Sequence, residues 1–234
     1  MRYIHNNINS PAVALLNDWN KLRKQVGQKL SYNDFNNKPL LNDILREEQG
    51  GICCYCQQKI NHYQGTNIES SHNEHLFPEK GKNNTKKERQ TEYVNLYACC
   101  NYSKGMKKSQ QHCGEAKHDE VIYEFVKWVD CNTHFKYNSK GEITPQGSYN
   151  TLDEFEANES NLTFKQKEAL NAIKILNLNQ SSLVQKRKKE QTVLFEILTK
   201  LTKSQVKEKI QEFNNERPYK QFVDMLLYYM KQKK

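Results

Sequence analysis

Six of the chain's seven cysteines fall into two separate stretches, and this arrangement constrains the fold more than any other feature. They are Cys53, Cys54, Cys56, Cys99, Cys100 and Cys113. Clustered cysteines in a chain without a secretion signal are typical of metal ligands or redox groups, because disulfides are rare in reducing compartments. We therefore expect a fold in which the two stretches meet.

The spacing Cys53-x-x-Cys56 is that of one half of a zinc knuckle. A structural zinc ion takes four ligands at about 2.3 Å from sulfur, so two more must come from elsewhere. The candidates are Cys99, Cys100, His112 and Cys113. A thioredoxin-like redox pair would need a βαβ pattern around it, which the sequence lacks. Cys131 stands alone and is expected to be a buried small hydrophobe.

Charge is distributed unevenly along the chain. The net charge is +9, and the segment 161–234 carries all of it, with 16 Lys and Arg against 7 Asp and Glu. A basic segment of this kind favours binding to a polyanion, although solvated Lys-rich helix faces give the same pattern. No stretch reaches the ~18 apolar residues of a membrane span, and no signal peptide is evident. We expect a cytoplasmic protein.

The pattern of apolar and capping residues predicts an α+β chain that is mainly α. Ser10-Pro11 predicts the start of a first helix, and a second is expected over 39–48, ended by Gly50-Gly51. The segment 134–145 reads as a hairpin, and Thr163 with Gln166 resembles a capping box. Ser204 and Pro218 are expected to begin the last two helices.

Between the cysteine stretches lie Glu74-His75, Pro78 and Asn95. The order CxxC, EH-x-x-P, N-L-x-x-x-C and HC-x-x-x-K resembles the HNH (ββα-metal) nucleases. Within them it most resembles the HNH subunit PtuB of Septu-type anti-phage defence, which also occurs as a retron effector. The resemblance covers roughly residues 45–190, including AIKILNLNQSSLVQKRK at 172–188.

This resemblance implies a division of the chain and a set of roles. The regions would be N-terminal helices over 1–49, a zinc-stapled HNH core over 50–130, a hairpin and linker over 131–160, and a basic helical region over 161–234. The resemblance implies that His75 is the general base, that Asn95 orients it, and that Glu74 binds a catalytic Mg²⁺ or another divalent cation. The implied structural zinc ligands are Cys53, Cys56, Cys100 and Cys113, with Cys99 and Cys100 as open alternatives.

The sequence departs from the resemblance at Gly114, where the family has Asp or His as a further ligand of the catalytic metal. We expect His118, one helical turn on, to supply that ligand, with Glu115 as the alternative. His72 is expected to face solvent, and Tyr55 to serve in packing. Neighbouring strand residues point to opposite faces, so Glu74 and His75 can share one phosphate only if the backbone or the metal is displaced.

Basic residues flank the expected site and would contact phosphates without reading sequence. They are Lys80, Lys82, Lys86, Lys87, Arg89, Lys107, Lys108 and Lys117. The resemblance also implies a partner, a PtuA-like ATPase subunit of the ABC/SMC kind. We expect an apolar stripe of Val223, Leu226, Leu227 and Met230 to meet it.

Two functions follow from this pattern. One is a metal-dependent nuclease acting on DNA or on an RNA such as tRNA. The alternative is a zinc-stapled nucleic-acid or protein adaptor that has lost catalysis, which Gly114 favours. The sequence leaves the choice between DNA and RNA open.

Overall fold

A computed structural model describes residues 1–27, 31–60, 70–79 and 87–233, with the backbone alone at 87 and 88. The helices are α1 Pro11–Gln25, α2 Lys38–Glu48, α3 Gly114–Lys117, α4 Leu152–Ala157, α5 Phe164–Ile175, α6 Ser181–Leu198, α7 Lys203–Asn215 and α8 Val223–Lys233. The strands are β1 Ser71–His75, β2 Leu96–Cys100, β3 Phe135–Tyr137 and β4 Ile143–Pro145. The prediction of an α+β, mainly α chain is confirmed.

Several element boundaries follow from local capping. The Ser10 side chain accepts a hydrogen bond from the Ala12 amide at the start of α1, and Thr163 with Gln166 forms the expected capping box of α5. Ser204 does not begin α7, because Thr202 caps that helix in a box with Gln205. The last helix begins at Val223, five residues after the expected Pro218.

Strands β1 and β2 form an antiparallel pair that carries the middle of the chain. In its register His72 lies opposite Cys99, and Glu74 lies opposite Tyr97. Because side chains alternate along a strand, His72 and Glu74 share one face while His75 lies on the other. Helix α3 follows β2 in the chain and packs on the face of His72 and Glu74. The order is therefore strand, strand, helix, as a ββα-metal core requires.

Strands β3 and β4 form the second antiparallel pair, which confirms the hairpin expected over 134–145. The apolar run at 121–129, which the sequence left open between helix and strand, is neither. It holds a short 3₁₀ turn at Phe125–Lys127. Among the described residues, no helix is long and apolar enough to cross a membrane.

One hydrophobic core connects the N-terminal helices, the ββα unit and the C-terminal helices. The stripe expected to meet a partner lies inside it, because Val223, Leu226, Leu227 and Met230 are at most 5% exposed. That expectation is wrong, since α8 packs against the chain's own α6, α7 and β3. The ATPase partner stays a prediction of the resemblance, without a surface assigned to it.

The start of α8 is also bonded to the loop after the knuckle. Gln57 donates a side-chain hydrogen bond to one oxygen of Asp224 and accepts one from the Asp224 amide, at 2.6 and 3.1 Å. Arg2 pairs with the other oxygen of Asp224 at 2.5 Å. Three distant parts of the chain thus meet at one buried carboxylate.

Candidate active site and metal centre

Six buried side chains from the two cysteine stretches lie in one cluster. Two overlapping groups could each hold a metal ion, Cys53 with Cys99, Cys100 and Cys113, and Cys56 with Cys100, His112 and Cys113. The four thiols expected to bind zinc all belong to this cluster. They do not make up either group, because Cys53 belongs only to the first group and Cys56 only to the second. Cys100 and Cys113 belong to both groups, whereas Cys99 belongs to one of them.

The sulfur separations suit a zinc ion. The sulfur of Cys53 lies 3.9 Å from that of Cys113, and the sulfurs of Cys56 and Cys100 are 3.8 Å apart. Two thiolates bound to one tetrahedral zinc at about 2.3 Å stand roughly 3.8 Å apart, so the spacing fits. Backbone amides also point at sulfur, since Cys100 N–H donates to Cys53 at 3.4 Å.

Charge gives a second argument for a cation in the cluster. Burial raises the pKa of the Cys56, Cys99 and Cys113 thiols well above the ordinary value, whereas hydrogen bonds from neighbouring thiols overcome burial and lower the pKa of Cys53 well below it. Thiols in such surroundings become thiolates together only when a metal ion supplies the balancing charge. The donor set therefore fits a closed, structural zinc site better than a redox pair.

Glu74 is the buried carboxylate beside this cluster. Its Oε1 accepts a hydrogen bond from the Tyr55 hydroxyl at 3.1 Å and lies 3.0 Å from the Lys117 ammonium. Its Oε2 lies 3.3 Å from Nε2 of His72. Lys117 and His72 overcome the effect of burial and lower the pKa of Glu74 to about 2. The carboxylate is therefore ionised at neutral pH, as a metal ligand must be.

His75 lies at the end of β1, on the face opposite Glu74, as alternation along a regular strand requires. Its Nε2 donates to the Gln90 carbonyl at 2.9 Å, and its Nδ1 lies 3.2 Å from Glu79. Burial lowers the pKa of His75 against the opposing effect of Glu79, which favours the neutral imidazole that a base needs. The Lys117 ammonium links the two faces by donating to the His75 carbonyl at 2.8 Å.

Asn95 is buried, and its bonds go to backbone rather than to the imidazole of His75. Its amide oxygen accepts from the Phe77 N–H at 2.7 Å, and its nitrogen donates to the carbonyls of Phe77 and Arg89 at 3.0 Å. It thereby fixes the chain just after His75 and just before Gln90. Any effect of Asn95 on the orientation of His75 must pass through the backbone, and its orienting role stays a prediction.

The structure does not bring His118 into this site. His118 follows the last residue of α3 at a φ of 46°, and its side chain is exposed. Among the described residues, the histidine beside Glu74 is His72, in a group of potential ligands with Glu74 and Cys99. His72 is half-buried rather than turned to solvent as expected, and its Nδ1 lies 2.5 Å from the amide oxygen of Asn101.

The basic residues expected to bind nucleic acid differ in their exposure and in their ion pairs. Lys80, Lys82 and Lys86 lie outside the described residues, as does the side chain of Lys87. Lys107 and Lys108 are exposed. Arg89 is paired with Glu92 and Glu124. Lys117 is 1% exposed and pairs with Glu74, so it does not lie on a nucleic-acid-binding surface as expected.

Sequence reasoning missed two residues that contact Glu74. Tyr55 was expected to serve in packing, yet its hydroxyl donates to the carboxylate. His72 stands two residues before Glu74, and period-two alternation places both on one strand face. That spacing was the available signal for His72, whereas the contact of Tyr55 depends on how the knuckle folds onto β1.

Comparison with known proteins agrees with this geometry. The chain is 28% identical over 182 residues to the "Retron Vc95 putative HNH endonuclease" of Vibrio cholerae serotype O1 biovar El Tor. The chain resembles an HNH endonuclease of a retron. The similarity spans 75% of this chain and 78% of that protein, and therefore extends well beyond the ββα unit. No protein-family model matches the chain. The narrower resemblance to PtuB stays a prediction.

Proposed function

We propose that this protein is an HNH-type, metal-dependent nuclease that hydrolyses phosphodiester bonds in nucleic acid. The observation that carries the proposal is an ionised Glu74 beside a thiol cluster suited to zinc, with the buried, neutral His75 next to it in β1. Because the two side chains lie on opposite faces of the strand, they can act on one phosphate only if the cation held by Glu74 lies to one side of β1. The similarity to a retron HNH endonuclease supports it. A role in anti-phage defence is what the resemblance to the HNH subunit of Septu-type systems implies.

In the proposed reaction, His75 would activate water, Glu74 would hold the cation, and the cysteine cluster would have a structural role. Nε2 of His75 is held by the Gln90 carbonyl, so Nδ1 is the nitrogen that accepts a proton from the attacking water. Glu79, now beside Nδ1, must give way to that water. Glu74 would hold a divalent cation, whose positive charge stabilises the phosphorane-like transition state and the leaving oxygen. The cysteine cluster would hold zinc with no open position, which limits that metal to a structural role.

Replacing His75 by alanine is expected to reduce cleavage by at least ~10²-fold, because the proton acceptor is lost. The protein is incubated with single- and double-stranded DNA and RNA in Mg²⁺ or Mn²⁺, and initial rates are compared between wild type and His75→Ala. His134→Ala is the matched control, because His134 pairs with Asp130 and packs on Phe125 instead of contacting Glu74 or His75. Its rate should equal that of wild type.

This experiment also decides between the two functions. Equal residual cleavage by wild type and His75→Ala on every substrate would remove the nuclease proposal. Retained nucleic-acid binding under those conditions would favour the adaptor, which Gly114 suggests because it offers no ligand side chain. A loss confined to His75→Ala, with unchanged thermal unfolding, supports the nuclease.

We further propose that the segment 101–111 contacts phosphates. It carries Lys104, Lys107 and Lys108, all exposed, and contains no acidic residue. It leads from β2 to the cysteine cluster, and Asn177 bonds to its Ser109 and Gln111 carbonyls. A loop that carries three exposed lysines and no acidic residue of its own is suited to sequence-blind backbone binding.

Replacing these three lysines by alanine should weaken nucleic-acid binding and flatten its salt dependence. Each phosphate contact contributes about 0.7 to 0.9 to the slope of log K against log salt, so the slope should fall by up to about 2 to 3. Binding is measured by fluorescence anisotropy from 50 to 200 mM salt. The matched control replaces Lys200, Lys203 and Lys207, which are also exposed. An equal change in both triple variants would show a general charge effect and contradict a dedicated surface.

A further inference from the structure

The two oxygens of Glu74 have different surroundings. Oε1 is engaged by the Tyr55 hydroxyl and the Lys117 ammonium. Oε2 faces Nε2 of His72 at 3.3 Å. Two neighbouring ligand atoms of an octahedral cation are ~3 Å apart when the metal–ligand bonds are near 2.1 Å. The distance between the carboxylate oxygen and the imidazole nitrogen is close to this value. The Oε2 side therefore offers two donors to one ion.

Gly114 leaves the space that His72 occupies. A Cβ at this position would lie 2.6 Å from Oε2 of Glu74 and 2.8 Å from Nε2 of His72. Contacts below 3.0 Å force neighbouring atoms to move, so a larger residue at 114 would displace the end of the His72 ring or the Glu74 carboxylate from its observed position. A side chain at 114 would point directly at the Glu74 carboxylate, the position from which a ligand would be expected.

The His72 ring is held in the orientation that a metal ligand needs. Its Nδ1 lies 2.5 Å from the Asn101 amide oxygen, so that nitrogen carries the proton donated in this bond. Metal-binding histidines commonly donate their other ring N–H to a carbonyl or carboxylate, which fixes the tautomer. Nε2 then faces Glu74, where a bound cation would take the place of the proton that the imidazole shares with Oε2.

We propose that His72 and Glu74 together hold the divalent cation of the proposed nuclease, with His72 supplying from β1 the ligand that Gly114 does not supply from α3. The inference rests on the proposed function for the role of that cation, but not for its binding. A mixed nitrogen and oxygen donor pair suits Mn²⁺ and later divalent metals better than Mg²⁺. His72, not His118, is the second protein ligand.

Metal affinity tests the assignment without using catalysis. Zinc-loaded protein is titrated with Mn²⁺, and free Mn²⁺ is measured by electron paramagnetic resonance. Wild type should bind one Mn²⁺ per chain, and His72→Ala should bind it at least ~10-fold more weakly, since even indirect loss of support for a ligand costs 10- to 100-fold. His118→Ala should bind as wild type does. His72→Gln, which keeps a polar side chain, replaces the alanine variant if that variant does not fold.

An exchange of positions provides the sharper test. Gly114→Asp alone should not improve Mn²⁺ binding, because its side chain collides with His72 and Glu74. The double variant with His72→Ala and Gly114→Asp removes the collision and restores a ligand at the same place. It should recover most of the affinity lost in His72→Ala.

The outcomes separate this inference from the proposed function. Unchanged Mn²⁺ affinity in His72→Ala, or no binding by wild type, would show that His72 and Glu74 form only an ion pair and overturn the inference. A loss in His118→Ala instead would assign the ligand to His118, just after α3. If His72→Ala loses Mn²⁺ but no substrate is cleaved by wild type, the metal site stands and the nuclease proposal fails.

Discussion

Removing the metal from the cysteine cluster is expected to unfold the centre of this protein. Structural zinc contributes roughly 10–16 kcal/mol to the folding of small zinc domains, whereas a typical domain is stable by only about 5–15 kcal/mol. Cys53, Cys100 and Cys113 are at most 1% exposed and lie inside the main hydrophobic core. Without the cation most of these buried thiols would take up protons, because burial raises their pKa, and the metal–sulfur bonds that join the two cysteine stretches would be lost.

Cysteine-to-serine variants make this prediction specific. Cys113→Ser should lose the single equivalent of zinc, measured by elemental analysis, and should unfold at least ~10 °C below wild type by circular dichroism. Cys131→Ser is the matched control, because Cys131 is equally buried but lies outside the cluster. It should keep its zinc and lose only about 1–3 kcal/mol from burial of a hydroxyl.

The same measurement resolves the choice between Cys99 and Cys100. Cys100 belongs to both potential ligand groups, and Cys99 also lies near His72 and Glu74. We therefore expect Cys100→Ser to lose zinc and Cys99→Ser to retain it. Zinc-free wild-type protein with an unchanged unfolding temperature would contradict the whole assignment.

Local signals carried the sequence-based prediction of the fold. A helix cap or a knuckle turn depends on residues that are close together in the sequence. The caps at Ser10 and Thr163 and the cysteine spacing could therefore be recognised without knowledge of the tertiary structure. The hairpin over 134–145 was predictable for the same reason. The beginning of α8 was not, because the residues between Pro218 and Val223 take their conformation from contacts such as that of Tyr219 with the Gly50 carbonyl.

The candidate site was only partly predictable. The sequence indicated Glu74, His75 and Asn95 through a resemblance, but distances between them depend on how β1, β2 and α3 pack. His72 could not be chosen over His118 from spacing alone, since the deciding fact is which side chain fills the space beside Gly114. From the sequence, Lys117 was likewise expected to lie on the surface. Its burial depends on the ion pair with Glu74, which only the tertiary structure shows.

Deleting residues 218–234 is expected to abolish folding rather than to release a docking segment. Five apolar side chains of α8 are at most 5% exposed: Val223, Met225, Leu226, Leu227 and Met230. At about 1.5–3 kcal/mol for each buried side chain, their removal costs roughly 8–15 kcal/mol, which is comparable to the stability of a whole domain. The truncated chain should lack a cooperative unfolding transition and expose its core to a hydrophobic dye.

A shorter deletion and a point variant separate packing from partner binding. Residues 231–233 are exposed at the end of the helix, so removal of residues 231–234 should leave the unfolding temperature unchanged. Asp224→Ala keeps the helix but leaves Arg2 and Gln57 without their carboxylate, and breaking such a buried pair costs about 3–5 kcal/mol. A truncated chain at 217 that still unfolds cooperatively near the wild-type temperature would contradict this account and return α8 to the surfaces available for a partner.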